Sequence, residues 1–454
     1  MSGPHFHLMG VGGVGMCGIA EVLLAQGQTV SGCDIADNER TRRLAGLGAR
    51  IHRGHEQGHL EGVHALIVTA AVSKENPELR AATEKGLPVV RRAEMLAELM
   101  RLKRGVAVAG THGKTTTTAI IGHLLTAAGQ DPTVIVGGRA HFLGAHARVG
   151  AAPLLVCEAD EYDRSFLELA PHLAVITNLE PEHLDCYGSV EELRSAFATF
   201  ANRASVYGAV IVCADDPGAW SLRDGLRRKV VGYGSSEEAE MRLEITASEP
   251  SGTRFTVFRE NRRLGEVSLP LPGKFNALNA LAAITAGLEL GLDFDTLAAA
   301  CAGFSGVARR FDVRGDRDGV TVVDDYAHHP TELRALLEAT RQAMPGRRVV
   351  AVFQPHLYSR TRDFARDFAS ALLGAEVAIV LPIYPAREEP IEGVSSQLVV
   401  EEAERLGHPR VLAGPPIGEA MQQLEELLEP GDVLLTVGAG NVDDLAAAWL
   451  EGAA

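Results

Sequence analysis

A short glycine-rich run that ends in a lysine has the composition of a phosphate-binding loop. It follows the apolar segment Val106–Ala109, precedes a predicted helix and reads Gly110-Thr111-His112-Gly113-Lys114-Thr115-Thr116. Backbone N–H groups of such a loop surround phosphate oxygens, the lysine reaches the outer phosphates and the following hydroxyl binds Mg²⁺. Val108 stands where the usual GxxxxGK[ST] pattern has its first glycine. We still predict a phosphate site with a metal ion, because strand, loop and helix occur in the required order.

Acidic residues and a histidine follow the next two predicted strands. Glu158-Ala159-Asp160-Glu161 comes after Leu154–Cys157, and His183 lies in a polar run after Ala174–Thr177. The carboxyl ends of parallel strands face the site of an open α/β sheet, and Mg²⁺ prefers oxygen ligands. We therefore expect carboxylates of this acidic run to face the metal site, where His183 could bind a second ion. Taken singly, each could instead be a solvated loop charge or a structural histidine.

A second glycine-rich loop lies near the start of the chain. Gly10-Val11-Gly12-Gly13-Val14-Gly15 fits GxGxxG between the strand His5–Met9 and a predicted helix, and Asp34 follows at the end of the next strand. Glycines let the backbone approach a pyrophosphate, which the N–H groups at the helix start then bind. A nicotinamide cofactor and a UDP-sugar both carry a pyrophosphate, so the motif leaves both open, as well as a turn with no ligand.

The elements that must position these loops form three segments. The first and last alternate strand and helix, which indicates parallel sheets with covering helices. The middle segment does the same until Met241–Leu271, where apolar and polar residues alternate as in a small antiparallel sheet. We predict an α/β protein with three domains: Rossmann-like 1–95, a P-loop domain 96–305 with the small antiparallel sheet, and Rossmann-like 306–454.

The individual elements can be placed along the chain. Further strands are predicted at Thr29–Asp34, Ala65–Ala70, Ala209–Cys213, Thr321–Val323, Val349–Phe353, Val377–Leu381 and Val433–Val437. Helices are predicted at Gly15–Gln26, Asn76–Lys85, Arg91–Arg104, Ala277–Leu290, Phe294–Ala302, Thr331–Ala343, Arg362–Leu373 and Ile417–Leu428.

Length and composition agree with this reading. A chain of 454 residues fits three domains at about 150 residues each. With 43 basic and 59 acidic residues the net charge is −16, which argues against broad binding to nucleic acid or to an anionic membrane.

Six cysteines form no CxxC pair, so neither a disulfide nor a zinc framework is expected. Neither a secretory signal nor an apolar run of about 18 residues is visible, which predicts a cytoplasmic protein.

Several longer motifs occur in the order seen in Mur ligases, and this chain resembles that family over essentially its whole length. They are GTHGKTT, EADE, TNLEPEHLD, FNALNA at Phe275–Ala280, ARRF at Ala308–Phe311, DDYAHHPTE at Asp324–Glu332 and FQPHLYSRT at Phe353–Thr361. The last two, with VGGVGMCGIAE near the start, resemble the branch that adds L-alanine.

The resemblance implies ATP-dependent ligation of L-alanine to the lactyl carboxylate of UDP-N-acetylmuramate through an acyl phosphate. It implies UDP-sugar contacts at Gly12, Gly13, Gly15, Asp34, His55 and Thr69, and ATP contacts at Gly110, Thr111, His112, Gly113, Lys114, Thr115, Thr116, Asn276, Asn279 and Arg310. Thr115, Glu158 and His183 would hold metal, with two Mg²⁺ ions, and Tyr326, His328 and Arg360 would bind the amino acid. Catalytic roles would fall to Lys114, His183, Arg310 and His328, the last as a candidate base beside His329.

This sequence departs from the family pattern at three positions. Phe275 stands where the L-alanine-adding branch usually has His, Leu357 where many members have Arg, and Asn441 replaces a frequent Asp. Lysine is absent between Lys114 and Lys229, so a carbamylated lysine, which other members use near Mg²⁺, is not expected.

Other functions stay open at this stage. The alternative within the family is a recycling ligase that joins a ready-made tripeptide to the same UDP-sugar. More distant alternatives are a nicotinamide-dependent dehydrogenase and a P-loop switch. We expect a monomer or a weak homodimer with small-molecule partners only.

Overall fold

The computed structural model describes residues 3–69, 72–249, 251–386 and 388–452, with only the backbone of residues 184 and 185. It contains three sheets. The chain divides into two compact units. The first comprises the chain up to Glu244 with Phe255–Ser268 and Leu278–Ser305, and the second comprises Ile245–Arg254, Leu269–Ala277 and the chain from Gly306 onward.

The N-terminal sheet has five parallel strands in the order β3-β2-β1-β4-β5. Strands β2 and β3 follow on one side of β1, and β4 and β5 on the other. The loop after β1 therefore lies where the strand order reverses, which is the usual ligand position in such sheets. Its elements are β1 (His5–Met9), α1 (Val14–Ala25), β2 (Thr29–Asp34), α2 (Glu39–Gly46), β3 (Arg50–Arg53), β4 (Ala65–Val68), α3 (Pro77–Glu84), β5 (Val89–Arg91) and α4 (Arg92–Arg101). The strand predicted at Ala65–Ala70 therefore ends at Val68, and Ala70 lies outside the described residues.

The central sheet has ten strands in the order β15-β14-β13-β12-β11-β10-β6-β9-β7-β8. Its elements are β6 (Arg104–Ala109), α5 (Lys114–Ala127), β7 (Thr133–Ala140), β8 (Ala145–Arg148), β9 (Leu154–Glu158), β10 (Leu173–Ile176), α6 (Leu184–Tyr187), α7 (Val190–Asn202), β11 (Ala209–Cys213), α8 (Pro217–Trp220), β12 (Val230–Gly234), β13 (Met241–Glu249), β14 (Gly252–Arg259), β15 (Arg262–Leu269), α9 (Lys274–Glu289) and α10 (Phe294–Cys301). Parallel pairs place β10 on one side of β6 and β9 on the other. The carboxyl ends of β9 and β10 therefore flank the loop after β6.

The predicted small antiparallel sheet is the edge of this central sheet. Strands β13, β14 and β15 are neighbours there, and a two-residue connection joins β14 to β15, which only antiparallel neighbours allow. Glu260 and Asn261 form this connection and have φ of 48° and 65°, as a tight hairpin turn requires.

The C-terminal sheet has six strands in the order β16-β17-β21-β18-β19-β20, and all its pairs are parallel except β16 with β17. Its elements are β16 (Asp312–Arg317), β17 (Val320–Asp325), α11 (Pro330–Ala343), β18 (Val349–Phe353), α12 (Tyr358–Leu372), β19 (Val377–Val380), α13 (Gln397–Arg405), β20 (Val411–Ala413), α14 (Ala420–Leu427), β21 (Val433–Val437) and α15 (Asp443–Glu451). Helix α12 begins at Tyr358 and not at the predicted Arg362, and non-helical angles at Phe364 mark a kink within it.

The strands beside the predicted sites are buried on both faces. Val106–Ala109 of β6 and Leu173–Ile176 of β10 have no exposed surface, as expected where helices cover both sides of a parallel sheet. All six cysteines are free thiols. Among the described residues, no helix is both long enough and apolar enough to cross a membrane.

Candidate active site

The loop after β6 is shaped by two glycines and anchored to the end of β10. Gly110 has φ of 141° and Gly113, the N-cap of α5, has φ of 78°, values that favour glycine. The Thr177 hydroxyl donates to the carbonyl oxygen of His112 at 2.6 Å, and the His112 N–H donates to Oδ1 of Asn178 at 2.7 Å. A neighbouring strand end therefore fixes the loop that the sequence predicted to bind phosphate.

Lys114 forms a buried ion pair at the start of α5. Its Nζ donates to both Glu161 carboxylate oxygens at 2.8 and 2.9 Å, and to the carbonyl oxygen of Gly110 at 2.6 Å. Burial opposes the lysine charge, but the negative charges of Glu161 and Asp160 outweigh it and raise the pKa of Lys114 above its ordinary value. Burial raises the pKa of Glu161 to about 7 against the opposing effect of Lys114. The lysine is thus held cationic beside the loop.

Glu158 and Thr115, two of the predicted metal ligands, lie together. The Thr115 hydroxyl donates to Oε2 of Glu158 at 3.2 Å. The backbone N–H of Gly137, on β7, donates to the other carboxylate oxygen. A Cβ at Gly137 would lie 2.7 Å from both oxygens, so only glycine leaves room for this carboxylate. The result is a set of hard oxygen donors of the kind Mg²⁺ prefers. No sequence pattern marked Gly137.

His183, the third predicted metal ligand, is surrounded by two further carboxylates. Its Nε2 lies 3.9 Å from Oε1 of Glu161 and 3.8 Å from Oε2 of Glu182, and the three ligand atoms are close enough to share one ion. The His183 ring stands edge-on to Tyr162 with 4.9 Å between centroids. Glu161 and Glu182 belong to quoted motifs, but the sequence analysis gave neither a role.

The loop after β1 is braced by Asp34. Its Oδ2 accepts a hydrogen bond from the Gly12 N–H at 2.9 Å, and its Oδ1 accepts one from the Ala36 N–H at 3.0 Å. A Cβ at Gly12 would come within 2.9 Å of Asp34 and of Thr41, and closer still to Asn38. This carboxylate therefore holds the loop in shape whatever ligand the loop binds.

A cavity of about 320 Å³ connects the two predicted sites within the first unit. It is lined by Gly13, Val14, Gly15, Met16, Ile19, Thr69, Arg92, Leu96, Ile135, Val136, Gly137, Cys157, Glu158 and Asp160. The wall from α1 and α4 is largely apolar, and Arg92 brings a guanidinium 3.9 Å from Asp160. The sequence analysis assigned nothing to Arg92. This cavity thus joins the first glycine loop to the carboxylate of the predicted metal site.

Two other residues of the first unit with predicted ligand contacts are Asn279, for ATP, and His55, for the UDP-sugar. Asn279 is beside the loop after β6, where its Oδ1 accepts from the Thr117 hydroxyl at 3.1 Å. His55, predicted as a UDP-sugar contact, has its Nδ1 3.2 Å from the Cys33 thiol and 3.5 Å from Glu78.

In the second unit, Asn276 lies in the first turn of α9 and donates from Nδ2 to the carbonyl oxygen of Pro272 at 2.8 Å. The neighbouring Phe275, a departure from the family pattern, is an exposed apolar side chain.

His328, predicted to bind the amino acid, and Arg310, predicted to contact ATP, both lie beside Glu332. His328 Nδ1 lies 3.0 Å from the Tyr326 carbonyl oxygen and 3.4 Å from Oε2 of Glu332. Arg310 lies 3.7 Å from the same carboxylate, and its guanidinium is 5.2 Å from the centre of the Tyr326 ring. The His356 ring is 6.1 Å from that of His328. Sequence reasoning gave no role to Glu332 or His356, although both lie in quoted motifs.

Arg360 lies in the first turn of α12, and Leu357, one of the departures from the family pattern, is the N-cap of this helix. The backbone of Leu357 has φ of 72°, a positive value that is uncommon for a leucine. Glu388 accepts from the Ser359 N–H at 2.9 Å and holds this turn. Asn441, the third departure, accepts from the Gln354 side chain at 3.0 Å.

Sequence comparisons match these three regions separately. Models described as "Mur ligase family, catalytic domain", "Mur ligase middle domain" and "Mur ligase, glutamate ligase domain" match residues 5–104, 108–287 and 309–440. A curated UDP-N-acetylmuramate–L-alanine ligase of Desulfatibacillum aliphaticivorans is 45 % identical over 436 residues, which are 96 % of each chain.

Solved structures give the same result. The structure of UDP-N-acetylmuramate-alanine ligase MurC from Thermotoga maritima superposes with a TM-score of 0.83 at 30 % identity, over 99 % of this chain and 98 % of that one. A murein peptide ligase of Psychrobacter arcticus shares the fold with a TM-score of 0.72 at 23 % identity, over 99 % and 98 % of the two chains. The protein belongs to the Mur ligase family.

Proposed function

We propose that this protein joins L-alanine to the lactyl carboxylate of UDP-N-acetylmuramate, with ATP converted to ADP and phosphate. One observation is the main support for the proposal. Gly13 and Gly15 of the first loop line the same cavity as Glu158 of the predicted metal site. A nucleotide-sugar bound at the first loop would extend its carboxylate toward the second. Full-length relatives that bear the alanine ligase name support the choice of substrates.

The first chemical step is activation of the carboxylate. A carboxylate cannot expel oxide, so an oxygen of the lactyl group attacks the γ-phosphorus of ATP, ADP leaves, and an acyl phosphate forms. Phosphoryl transfer depends mainly on positioning and on neutralisation of charge. Lys114 supplies a fixed positive charge for this step, because the Glu161 carboxylate holds it at the loop.

The metal site fits Mg²⁺ by its donor chemistry. Thr115 and Glu158 offer a hydroxyl and a carboxylate, and the Gly137 N–H orients that carboxylate. His183 with Glu161 and Glu182 would serve a second ion. Bound Mg²⁺ would supply charge neutralisation for the phosphates. We propose two ions, one for each set of residues.

The UDP-sugar would bind through the loop after β1. The N–H groups at the start of α1 are available to the pyrophosphate, as in other glycine loops that precede a helix. Gly12, Gly13 and Gly15 allow close approach of the backbone, and Asp34 keeps the loop in place. Arg92 adds a cation in the cavity for the anionic part of the substrate.

The second chemical step is attack by the alanine amine. The nitrogen forms a bond to the acyl carbon through a tetrahedral intermediate, and the C–O bond to phosphate breaks. The amine must be neutral to attack, so a base must accept its proton. His328 is our candidate, because Glu332 and the Tyr326 carbonyl oxygen orient its ring. Tyr326 and Arg360 would contact the amino acid.

We make three further proposals, on the partners, the cellular location and the oligomeric state. The substrates are small molecules, and a net charge of −16 disfavours nucleic acid as a partner. We place the reaction in the cytoplasm, and we propose a monomer or a weak homodimer as the active form.

The decisive experiment is phosphate release from ATP and Mg²⁺ with UDP-N-acetylmuramate as acceptor. L-alanine should be compared with the tripeptide L-alanyl-γ-D-glutamyl-meso-diaminopimelate. Release that requires both the sugar and L-alanine is the expected result, and it would also establish that Leu357 is tolerated. Release with the tripeptide alone would reassign the protein as a recycling ligase, and release without any sugar would contradict ligation.

A further inference from the structure

A buried group of metal-ligating side chains lies in the N-terminal domain, apart from the predicted Mg²⁺ residues. Six of the 16 histidines fall in the first 64 residues, far more than an even distribution would place there. His7 on β1, Cys33 on β2 and Glu78 on α3 converge there, and we call these three residues the thiol cluster. None of the three has any exposed surface.

The ligand atoms of the thiol cluster are within reach of one ion. The Cys33 thiol donates to Oε2 of Glu78 at 2.9 Å, and Nε2 of His7 lies 3.6 Å from the same oxygen. All three atoms lie within 4.8 Å of one another. The His7 Nε2 is fully buried, points into the cluster and has no hydrogen-bond partner. A buried imidazole nitrogen without a partner is costly, and a metal ion would remove that cost.

His55 lies at the open side of the cluster and offers a fourth ligand atom. Its Nδ1 lies 3.2 Å from the Cys33 sulfur and 3.5 Å from Oε2 of Glu78. Metal–ligand bonds of about 2.0 to 2.3 Å in a tetrahedron place neighbouring ligands about 3.3 to 3.8 Å apart. Four of the six separations among these ligand atoms, 2.9 to 3.6 Å, lie in or just below this range. The His7 nitrogen and the Cys33 sulfur are within 4.8 Å of each other.

We propose that His7, Cys33, Glu78 and His55 bind a divalent transition-metal cation of the Zn²⁺ class. Thiolate and imidazole ligands select such cations and do not suit Mg²⁺, which prefers oxygen. With four protein ligands and little solvent access, the site would be structural. The ion would tie β1 and β2 to α3.

Neighbouring side chains already orient the ligands. The Ser31 hydroxyl lies 2.8 Å from Nδ1 of His7, which leaves Nε2 directed at the cluster. His59 Nδ1 lies 2.5 Å from Oε1 of Glu78. Such partners fix the ring orientation of ligating histidines and the position of ligating carboxylates in known metal sites.

The protonation of Cys33 and Glu78 determines what a metal ion must displace when it binds. Burial and the hydrogen bond to Glu78 raise the pKa of the Cys33 thiol. Burial would also raise the pKa of Glu78, but the contacts with His7, Cys33 and His59 outweigh it and hold that pKa at about 2. The cluster therefore contains a carboxylate and a thiol, and metal binding must displace the thiol proton.

The test uses the full-length protein, stripped with a chelator and titrated with Co²⁺ in excess Mg²⁺. We expect one equivalent of Co²⁺ to produce a thiolate-to-cobalt charge-transfer band that Zn²⁺ abolishes. The residues around His183 could also take Co²⁺, but they contain no thiol, so the band reports on the thiol cluster alone. This readout does not depend on ligase activity, so the proposal and the proposed function can fail separately.

Two cysteine variants complete the test. Cys33→Ser should lose the band, and Cys17→Ser, which changes another buried thiol of the same domain, should keep it. Circular dichroism should establish that both variants are folded. Zn²⁺ should raise the melting temperature of the wild type and not that of Cys33→Ser. Absence of a thiolate band from the wild type would overturn the proposal, as would a band that survives in Cys33→Ser.

Discussion

The loop after β1 and the loop after β6 have the same local construction. Each connects a buried parallel strand to a helix, and each has glycine at the helix N-cap. Gly113 needs glycine for its φ of 78°, whereas Gly13 has an ordinary φ of −70° and is limited by space, because a Cβ there would lie 3.1 Å from the Gly10 carbonyl oxygen. Both constructions leave backbone N–H groups at a helix start free to face an anion.

The two loops differ in the charges placed around them. Asp34 braces the first loop, and the α1 helix that follows carries no cation near its start. The second loop leads directly into Lys114 and Thr115, with Glu158 and Glu161 facing them. The comparison suggests that a glycine loop between a strand and a helix serves two tasks, which the surrounding charges determine. We expect the first loop, whose nearby cations Arg40 and Arg92 come from α2 and α4, to hold a phosphate in place. We expect the second loop, with its own lysine and the neighbouring carboxylates, to stabilise a phosphate that reacts.

The variant with the largest expected effect on this difference between the loops removes the lysine of the second loop. Lys114→Ala should lower kcat by about 10³-fold, because a fixed charge that stabilises the transferring phosphoryl group is lost. Binding of the UDP-sugar should be unchanged, as measured by calorimetry. Lys229→Ala, which changes an exposed lysine paired with Glu289, is the matched control and should remain active.

Lys114→Ala also leaves Glu161 buried without its partner, so loss of folding must be separated from loss of catalysis. Lys114→Ala combined with Glu161→Gln removes both charges and should be more stable than the single variant while staying inactive. Recovery of ligation in this double variant would contradict the role of Lys114.

A second test concerns the residues beside the second loop that we propose as metal ligands. In Gly137→Ala the new methyl group would displace the Glu158 carboxylate, since it would lie 2.7 Å from both oxygens. We expect the Mg²⁺ concentration for half-maximal activity to rise by about 10- to 100-fold. Gly225→Ala, at a position with open space, is the control. An unchanged Mg²⁺ curve for Gly137→Ala would remove Glu158 from the metal site.

The first loop can be tested separately. Gly12→Ala would push a methyl group against Asp34 and Asn38 and distort the loop. The KM for the UDP-sugar should rise about tenfold, a cost of about 1.4 kcal/mol, with the KM for ATP nearly constant. Gly46→Ala, in open space at the end of α2, should leave both constants unchanged. If Gly12→Ala raised the KM for ATP instead, the two loops would not have separate tasks.

The smallest expected effect concerns the support of the second loop. Thr117→Val removes the hydroxyl that donates to Asn279 and should lower the free energy of unfolding by about 1 kcal/mol, measured by denaturant titration. Thr118→Val is a close control, because the Thr118 hydroxyl is equally buried but has no hydrogen-bond partner. Equal losses in both variants would show that the Asn279 contact contributes nothing.

Much of the fold follows from local sequence. The apolar run Val349–Phe353 and the run Val433–Val437, apolar except for Thr436, predicted strands with the observed bounds, because strands buried on both faces have no polar alternation. The predicted start of helix α12 was four residues too late. The positive φ of Leu357 and the kink at Phe364 cannot be recognised from the residue types leucine and phenylalanine.

The sequence alone determined the two glycine loops, the lysine and hydroxyl at the second, and the order of the three domains, because these depend on residues close together in the chain. Only the tertiary structure decided that Glu161 pairs with Lys114, that Gly137 makes room for Glu158, and that Cys33 meets His7 and Glu78. The central strand order runs β10-β6-β9-β7, so neighbours in space are not neighbours in sequence. Contacts between them depend on how strands pair and how far each connecting loop reaches, and neither is encoded in a local pattern.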